Sequence, residues 1–249
     1  YPIADYSLTP TVAIVDPALV LTVPGSVAAD TGMDVLTHAT EAYVSQMASD
    51  FTDGLALQAI KLVFENLESS VKNADFHSRE KMHNASTIAG MAFANAFLGI
   101  SHSMAHKIGA QFHTIHGRTN AILLPYVIRY NGTRPAKTAT WPKYNYYRAD
   151  EKYQDIARML GLPCSTPEEA VDAYAKAVYE LGERCGIEMN FKAQGVDEKE
   201  WKKHSRELAF LAYEDQCSPA NPRLPMVDHM QEIIEDAYYG YKERPGRRK

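Results

Sequence analysis

Four of the nine histidines, His102, His106, His113 and His116, fall within fifteen residues bounded by Gly99 and Gly117. His102 and His106 are four apart and share a helix face, as do Asp34 and His38 far upstream. His102 and His116 are not so simply related. In one straight helix, at about 1.5 Å rise per residue, they would stand about 21 Å apart. Two residues so separated cannot hold one ion through bonds of about 2 Å. Sharing one requires the helix to stop and the chain to turn back. Gly109, the β-branched Thr114 and Ile115, and Gly117 permit that reversal without demanding it. Taken alone, Asp34 and His38 read first as a hydrogen bond orienting a buried histidine.

The surrounding pattern is helical. Apolar spacing and capping residues predict helices over 26–45, 50–73, 78–97, 101–112, 118–129, 150–160, 166–186, 198–213 and 226–240. Ser26 is a candidate cap for the first. Thr166-Pro167-Glu168-Glu169 is a strong start for the seventh. Pro125 is expected to kink the fifth. The small residues from Ala85 to Ala96 permit close approach and place the third helix centrally. Residues 131–149, with Gly132, Pro135, Trp141 and Pro142, read as a long loop, and Trp141, Tyr144, Tyr146 and Tyr147 as anchors. Residues 1–25 differ: Thr11–Val15 and Leu19–Val23 read as short strands ended by Asp16-Pro17 and Pro24-Gly25. Two strands do not form a stable sheet alone. They are expected to pair with strands preceding residue 1. The predicted fold is mainly α, about nine helices over residues 26–249, behind a short β segment over residues 1–25.

Two i/i+4 polar pairs in an apolar helical context need a reason, because a buried charge must be paired or bound to a metal. Three imidazoles and a carboxylate suit Fe, Zn, Co or Ni. Cys164, Cys185 and Cys217 are scattered without a Cys-x-x-Cys, which suggests neither disulfides nor a thiolate zinc site and fits a reducing cytoplasm. A net charge of -5 gives no general attraction to nucleic acid. The basic tail Lys242–Lys249 reads as a solvated terminus. No apolar run reaches the ~20 residues that span a bilayer, and Tyr1–Tyr6 has neither a signal peptide's basic start nor an initiator Met. The chain is expected to be a piece of something longer.

Gly32-Met33-Asp34-Val35-Leu36-Thr37-His38-Ala39-Thr40-Glu41-Ala42-Tyr43 and Gly99-Ile100-Ser101-His102-Ser103-Met104-Ala105-His106, followed by His116-Gly117, resemble the two signature regions of the iron-dependent (group III) alcohol dehydrogenases. Asp215–Arg223 resembles that family's C-terminal signature. Gly90–Gly99 and Gln111-Phe112-His113 resemble the alcohol dehydrogenase half of bifunctional aldehyde–alcohol dehydrogenases. The resemblance covers nearly the whole chain. It implies that Asp34, His38, His102 and His116 bind the metal, usually Fe(2+) and in some relatives Zn(2+). It implies that His106 sits beside the ion, near the nicotinamide and substrate, as a proton-relay group. The implied reaction is hydride transfer between NAD(H) and a short-chain aldehyde or alcohol.

The family's N-terminal dinucleotide-binding domain, with its Gly-Gly-Gly-Ser phosphate loop, has no counterpart in this sequence. The expected partners are therefore upstream dinucleotide-binding and aldehyde dehydrogenase domains, with a homo-oligomer or filament in the complete protein, and this piece alone is expected to bind NAD(H) poorly. Two other readings stand beside this one. One is an assembly domain without turnover of its own. The other is a metal-dependent lyase or synthase of related fold, such as a dehydroquinate synthase, whose zinc set has a Glu where this chain has Asp34. The remaining histidines, His77, His83, His204 and His229, read as surface or capping groups. His113 reads as lining the turn or the cleft, Met91, Phe93 and Phe97 as core, and Asn221 and Arg223 as a structural turn.

Overall fold

A computed structural model describes residues 5–135 and 147–240, all in helices, 3-10 turns and connecting loops. The helices are α1 (Gly25–Val44), α2 (Asp50–Lys72), α3 (Phe76–Ala96), α4 (Ile100–Phe112), α5 (His116–Gly132), α6 (Ala149–Met159), α7 (Pro167–Arg184), α8 (Glu198–Tyr213) and α9 (Val227–Tyr239). Each predicted helix is present, with ends shifted by a few residues. Ser26 lies inside α1, which starts after Pro24 without a side-chain cap. α3 starts earlier than predicted because Asp75 accepts from the Ser78 N–H at 2.9 Å. Thr166 caps α7 as expected, accepting from the Glu169 N–H at 3.2 Å. Pro125 lies within a continuous α5. The predicted anchors Trp141, Tyr144 and Tyr146, most of the predicted loop, and the basic tail fall outside the described residues.

The β segment is corrected. No strand forms among the described residues. Val12 and Ile14 are 75% and 86% exposed, with no neighbouring strand to pair with. Asp16-Pro17 opens a turn and does not end a strand. Asp16 accepts from the Ala18 N–H at 2.9 Å, Pro17 takes the first position, and Pro17–Val20 forms a 3-10 turn. Arg79 of α3 then holds this segment by donating to the carbonyls of Val20 at 3.3 Å and Val23 at 2.8 Å.

Two apolar clusters share α5. One gathers Met33, Leu36, Ile60, Val63, Leu67, Tyr153 and Tyr174 from α1, α2, α6 and α7. The other joins Ile100, Met104 and Ile108 of α4 to Trp201, Leu208, Met230 and Ile234 of α8 and α9. α3 turns its small residues inward: Ala85, Ala89, Ala92 and Ala96 are all buried. Between α3 and α4 the chain bends by 106°, so their apolar lengths do not form one straight rod, and no single helix among the described residues is long and apolar enough to cross a membrane.

Two glycines test this packing in opposite directions. A Cβ on Gly32 would lie 2.2 Å from Leu67 Cδ1, whereas one on Gly54, exposed within α2, meets nothing within 4 Å. Gly54→Ala should therefore stabilise the fold by about 0.5–1 kcal/mol. Gly32→Ala should cost about 1–3 kcal/mol. Denaturant titration of both variants checks the difference in sign.

Candidate metal centre

α1 presents Asp30, Asp34, His38 and Glu41 at spacings of four, four and three, which form one helix face. That face meets the reversal between α4 and α5. His113 ends α4 in the left-handed region at φ +54°, and α5 begins at His116. The reversal brings the His102 and His116 rings to 5.5 Å.

The start of α5 lies directly on α1. A Cβ on Gly117 would stand 2.2 Å from the Asp30 carbonyl oxygen. Arg118 closes a two-pronged ion pair on Asp30 at 2.8 and 3.0 Å. Asn120, fully buried, donates to Asp34 Oδ1 at 2.8 Å, lies 3.2 Å from His116 Nε2, and accepts from Ser101 Oγ at 3.2 Å.

Asp34 is the meeting point. Its Oδ1 lies 3.6 Å from His102 Nε2 and 3.6 Å from His116 Nε2, and its Oδ2 lies 3.9 Å from His38 Nδ1. Two atoms bonded to one ion at about 2.1 Å stand no more than about 4.2 Å apart, and each of these three separations meets that limit. Asp34, His38 and His102 offer ligand atoms all within 4.8 Å of one another. His116 is outside that set of three; it approaches Asp34 at 3.6 Å from the open side, its side chain 45% exposed.

The donor chemistry fits a divalent cation. His102 is 1% exposed, yet its Nε2 has no hydrogen-bond partner. A buried nitrogen left so is costly unless something else occupies it. Burial, reinforced by the charge of His102, pushes His38 down to about 3. Burial also lowers His116. Both imidazoles are therefore neutral near pH 7, with a lone pair to offer. Burial opposes the charge of Asp34, but the three surrounding histidines outweigh it and hold the carboxyl well below the usual carboxylate range. Burial likewise opposes protonation of His102, and the adjacent carboxylates Asp34 and Glu41 reverse that, lifting it to about 9. The protonated ring supplies between two acids the positive charge that an ion would bring.

His106 stands apart from this set. Its ring stacks on His116 at 5.6 Å, and its Nδ1 faces Asp215 Oδ2 at 3.2 Å. Asp215 also receives Lys107 Nζ at 2.8 Å and the Cys217 N–H at 3.0 Å. Burial works against the Asp215 charge, but these donors hold its carboxyl well below the usual range. Phe93 stacks on His38 at 4.5 Å. Met91 and Phe97, read as core, are instead 52% and 50% exposed. His113 lines the turn. Asn221 exchanges two hydrogen bonds with Asn131, and Arg223 lies over the Tyr130 ring, so both serve the structural turn expected of them.

Sequence reading had assigned no role to Glu41, Asn120 or Asp215. Glu41 had a detectable signal, because it follows His38 by one helical turn on the same face. Asn120 also had one, because it follows His116 by one turn of α5, whereas Asp215 had none, since His106 and Lys107 lie on α4.

Among the described residues the geometry is that of an all-helical unit with a His-rich cluster, able to hold a divalent cation, at the crossing of α1, α4 and α5. Residues 28–238 match the Fe-containing alcohol dehydrogenase family, C-terminal. The chain belongs to that family. It is 95% identical over 249 residues to the aldehyde-alcohol dehydrogenase of Streptococcus pneumoniae serotype 2, spanning 100% of this chain and 28% of that protein. The iron-containing alcohol dehydrogenase from Thermococcus thioreducens superposes with a TM-score of 0.82 at 36% identity, over 95% of this chain and 57% of that one. Sulfoacetaldehyde reductase from Bifidobacterium kashiwanohense, solved in complex with NAD+, superposes with a TM-score of 0.77 at 29% identity, over 95% and 56%.

Gly117→Ala probes how the site is assembled. The added methyl must lift the start of α5 off the α1 backbone, at a cost of about 1–3 kcal/mol. His116 should move away from Asp34 with it. Denaturant titration should show the loss of stability, and the variant should retain less zinc after dialysis than the unaltered protein.

Proposed function

We propose that this chain is the metal-binding part of an NAD-linked alcohol dehydrogenase that interconverts short-chain aldehydes and alcohols. Asp34, His38, His102 and His116 are the proposed ligands and Fe(2+) the proposed metal, with Zn(2+) also compatible with the donor set. The observation that carries the proposal is the buried, unpartnered Nε2 of His102 facing Asp34, with two neutral imidazoles alongside. Membership of the iron-containing family supports a dehydrogenase over a lyase or synthase.

When bound, a divalent ion supplies Lewis acidity toward a substrate oxygen. Asp34 contributes the negative charge of the site. His38 and His116 enter as neutral donors, so no proton must be lost from them. The proton step belongs to His106. A carboxylate accepts and does not donate, so the Asp215 contact places the proton of neutral His106 on Nδ1. Its Nε2 is then the nitrogen that takes a proton from an alcohol, and as imidazolium it returns one to the oxygen of a reduced aldehyde. The hydride comes from a nicotinamide, which we assign to a part of the protein preceding this segment. The NAD+ complex of the Bifidobacterium reductase supports the nicotinamide link.

Paired variants separate the two roles. In the full polypeptide, His102→Ala with His116→Ala should abolish stoichiometric iron and turnover of acetaldehyde and ethanol. His106→Ala should keep its iron while kcat falls by about 10²–10⁴-fold. Elemental analysis beside steady-state kinetics reads both, and full metal content in the double variant contradicts the ligand assignment.

A further inference from the structure

Glu41 is 2% exposed and lies in the interior, with no lysine or arginine bonded to it among the described residues. Its two oxygens accept three hydrogen bonds, all from the first turn of α4. Oε1 takes the Ser101 N–H at 2.7 Å. Oε2 takes the Gly99 N–H at 3.0 Å and His102 Nδ1 at 2.6 Å. The approach is close: a Cβ on Gly99 would stand 2.9 Å from Oε1. Two of these bonds satisfy backbone donors that every helix start leaves open. Capping alone does not require a buried carboxylate, and a neutral side-chain oxygen just after the 3-10 turn Ser218–Ala220 serves the same purpose nearby. Asn221 Oδ1 accepts from the Ile100 N–H at 3.4 Å.

The third bond is different in kind. A carboxylate can only accept, so His102 must carry its proton on Nδ1. In the neutral ring Nε2 is then the lone-pair nitrogen, and it is the buried, unpartnered atom 3.6 Å from Asp34 Oδ1. One carboxylate thus sets the tautomer and the direction of Nε2 of a single histidine.

We infer that Glu41 is a positioning residue for the metal. It locks His102 in the Nδ1–H tautomer and aims Nε2 at the site, and its charge raises the basicity of that nitrogen as a ligand. This rests on the metal-site reading above. Glutamine is the informative replacement. An amide has one acceptor oxygen where Glu41 has two, so it cannot satisfy Gly99, Ser101 and His102 together. With its oxygen toward His102, it leaves the Ser101 N–H facing an NH₂ group and provides no charge. With its NH₂ group toward His102, it forces the proton onto Nε2 and removes the lone pair.

The experiment compares Glu41→Gln, Asn221→Ala and the unaltered full polypeptide by competition for Zn(2+) against a chelator. Thermal melts of the three metal-free proteins run alongside. Glu41→Gln should weaken Zn(2+) binding by about 10–100-fold. Asn221→Ala, which loosens the same helix start without touching His102, should change it by less than about threefold. Equal losses in both variants would mean that Glu41 acts only as a cap, and that overturns the inference. Histidine ¹⁵N spectra of the Zn(2+)-loaded unaltered protein give an independent readout. They should show His102 protonated at Nδ1 and coordinated through Nε2, and the opposite assignment also overturns it. Unaltered protein that binds no Zn(2+) or Fe(2+) rejects the metal-site reading itself, whereas tight binding in both unaltered protein and Glu41→Gln rejects only the role of Glu41.

Discussion

The structure depends on an acid held among imidazoles. Asp34 has His38 on its own helix, His102 across from it and His116 at the start of the next helix, each within 4 Å of one of its oxygens. Burial penalises every charge in such a place. The charge survives because the groups around it supply positive charge and hydrogen-bond donors in return. Asn120 donates to Asp34, and His102 in its protonated form lies between Asp34 and Glu41, bonded to Glu41 at 2.6 Å and 3.6 Å from Asp34. A divalent ion would balance these two carboxylates with no proton on His102 Nε2, while Nδ1 keeps its proton toward Glu41. The site is thus a place where metal and proton compete for one nitrogen.

That competition requires three helices to cross at short range, and small side chains make it possible. Gly117 allows the α5 backbone onto the α1 backbone, and Gly99 allows the α4 start against Glu41. The alanines of α3 form a low face on which α1 and α2 rest. Each contact trades apolar burial for proximity. The compensation lies in the two clusters on either side, where Tyr153, Tyr174, Trp201 and Tyr238 are fully buried. The polar crossing sits between two well-packed halves and need not stabilise the fold itself.

Much of this was legible in the sequence. The helical period showed nine segments, and the i/i+4 rule put Asp34 with His38 and His102 with His106. The rise of a helix required a reversal before His116 could join His102, and the reversal is there, with His113 in the left-handed region. What stayed hidden depends on distance in space. Glu41 bonds to residues about sixty positions away, Asn120 to one 86 away and Asp215 to one 109 away, and no local period reports such pairs. The misread strands have a different cause. Thr11–Val15 has strand composition, but composition describes a surface that fits a sheet and does not provide the neighbouring strand.

Nearness alone would not have separated His106 from the ligands, since its ring lies almost as close to His116 as the His102 ring does, at 5.6 against 5.5 Å. The difference lies in what is held and what is left free. Both His102 and His106 give Nδ1 to a carboxylate, so the neutral form of either ring keeps its proton on Nδ1 and leaves Nε2 as the lone-pair nitrogen. His102 is sealed at 1% exposure and its Nε2 faces Asp34, so it can serve only an ion placed there. His106 is 25% exposed, and its carboxylate is shared with Lys107, whose ammonium makes the Asp215 pocket a poor place for a second cation. One helix turn therefore carries two histidines with the same hydrogen-bonding pattern and different access to water. In the proposed reading the buried one binds the ion and the more open one moves a proton.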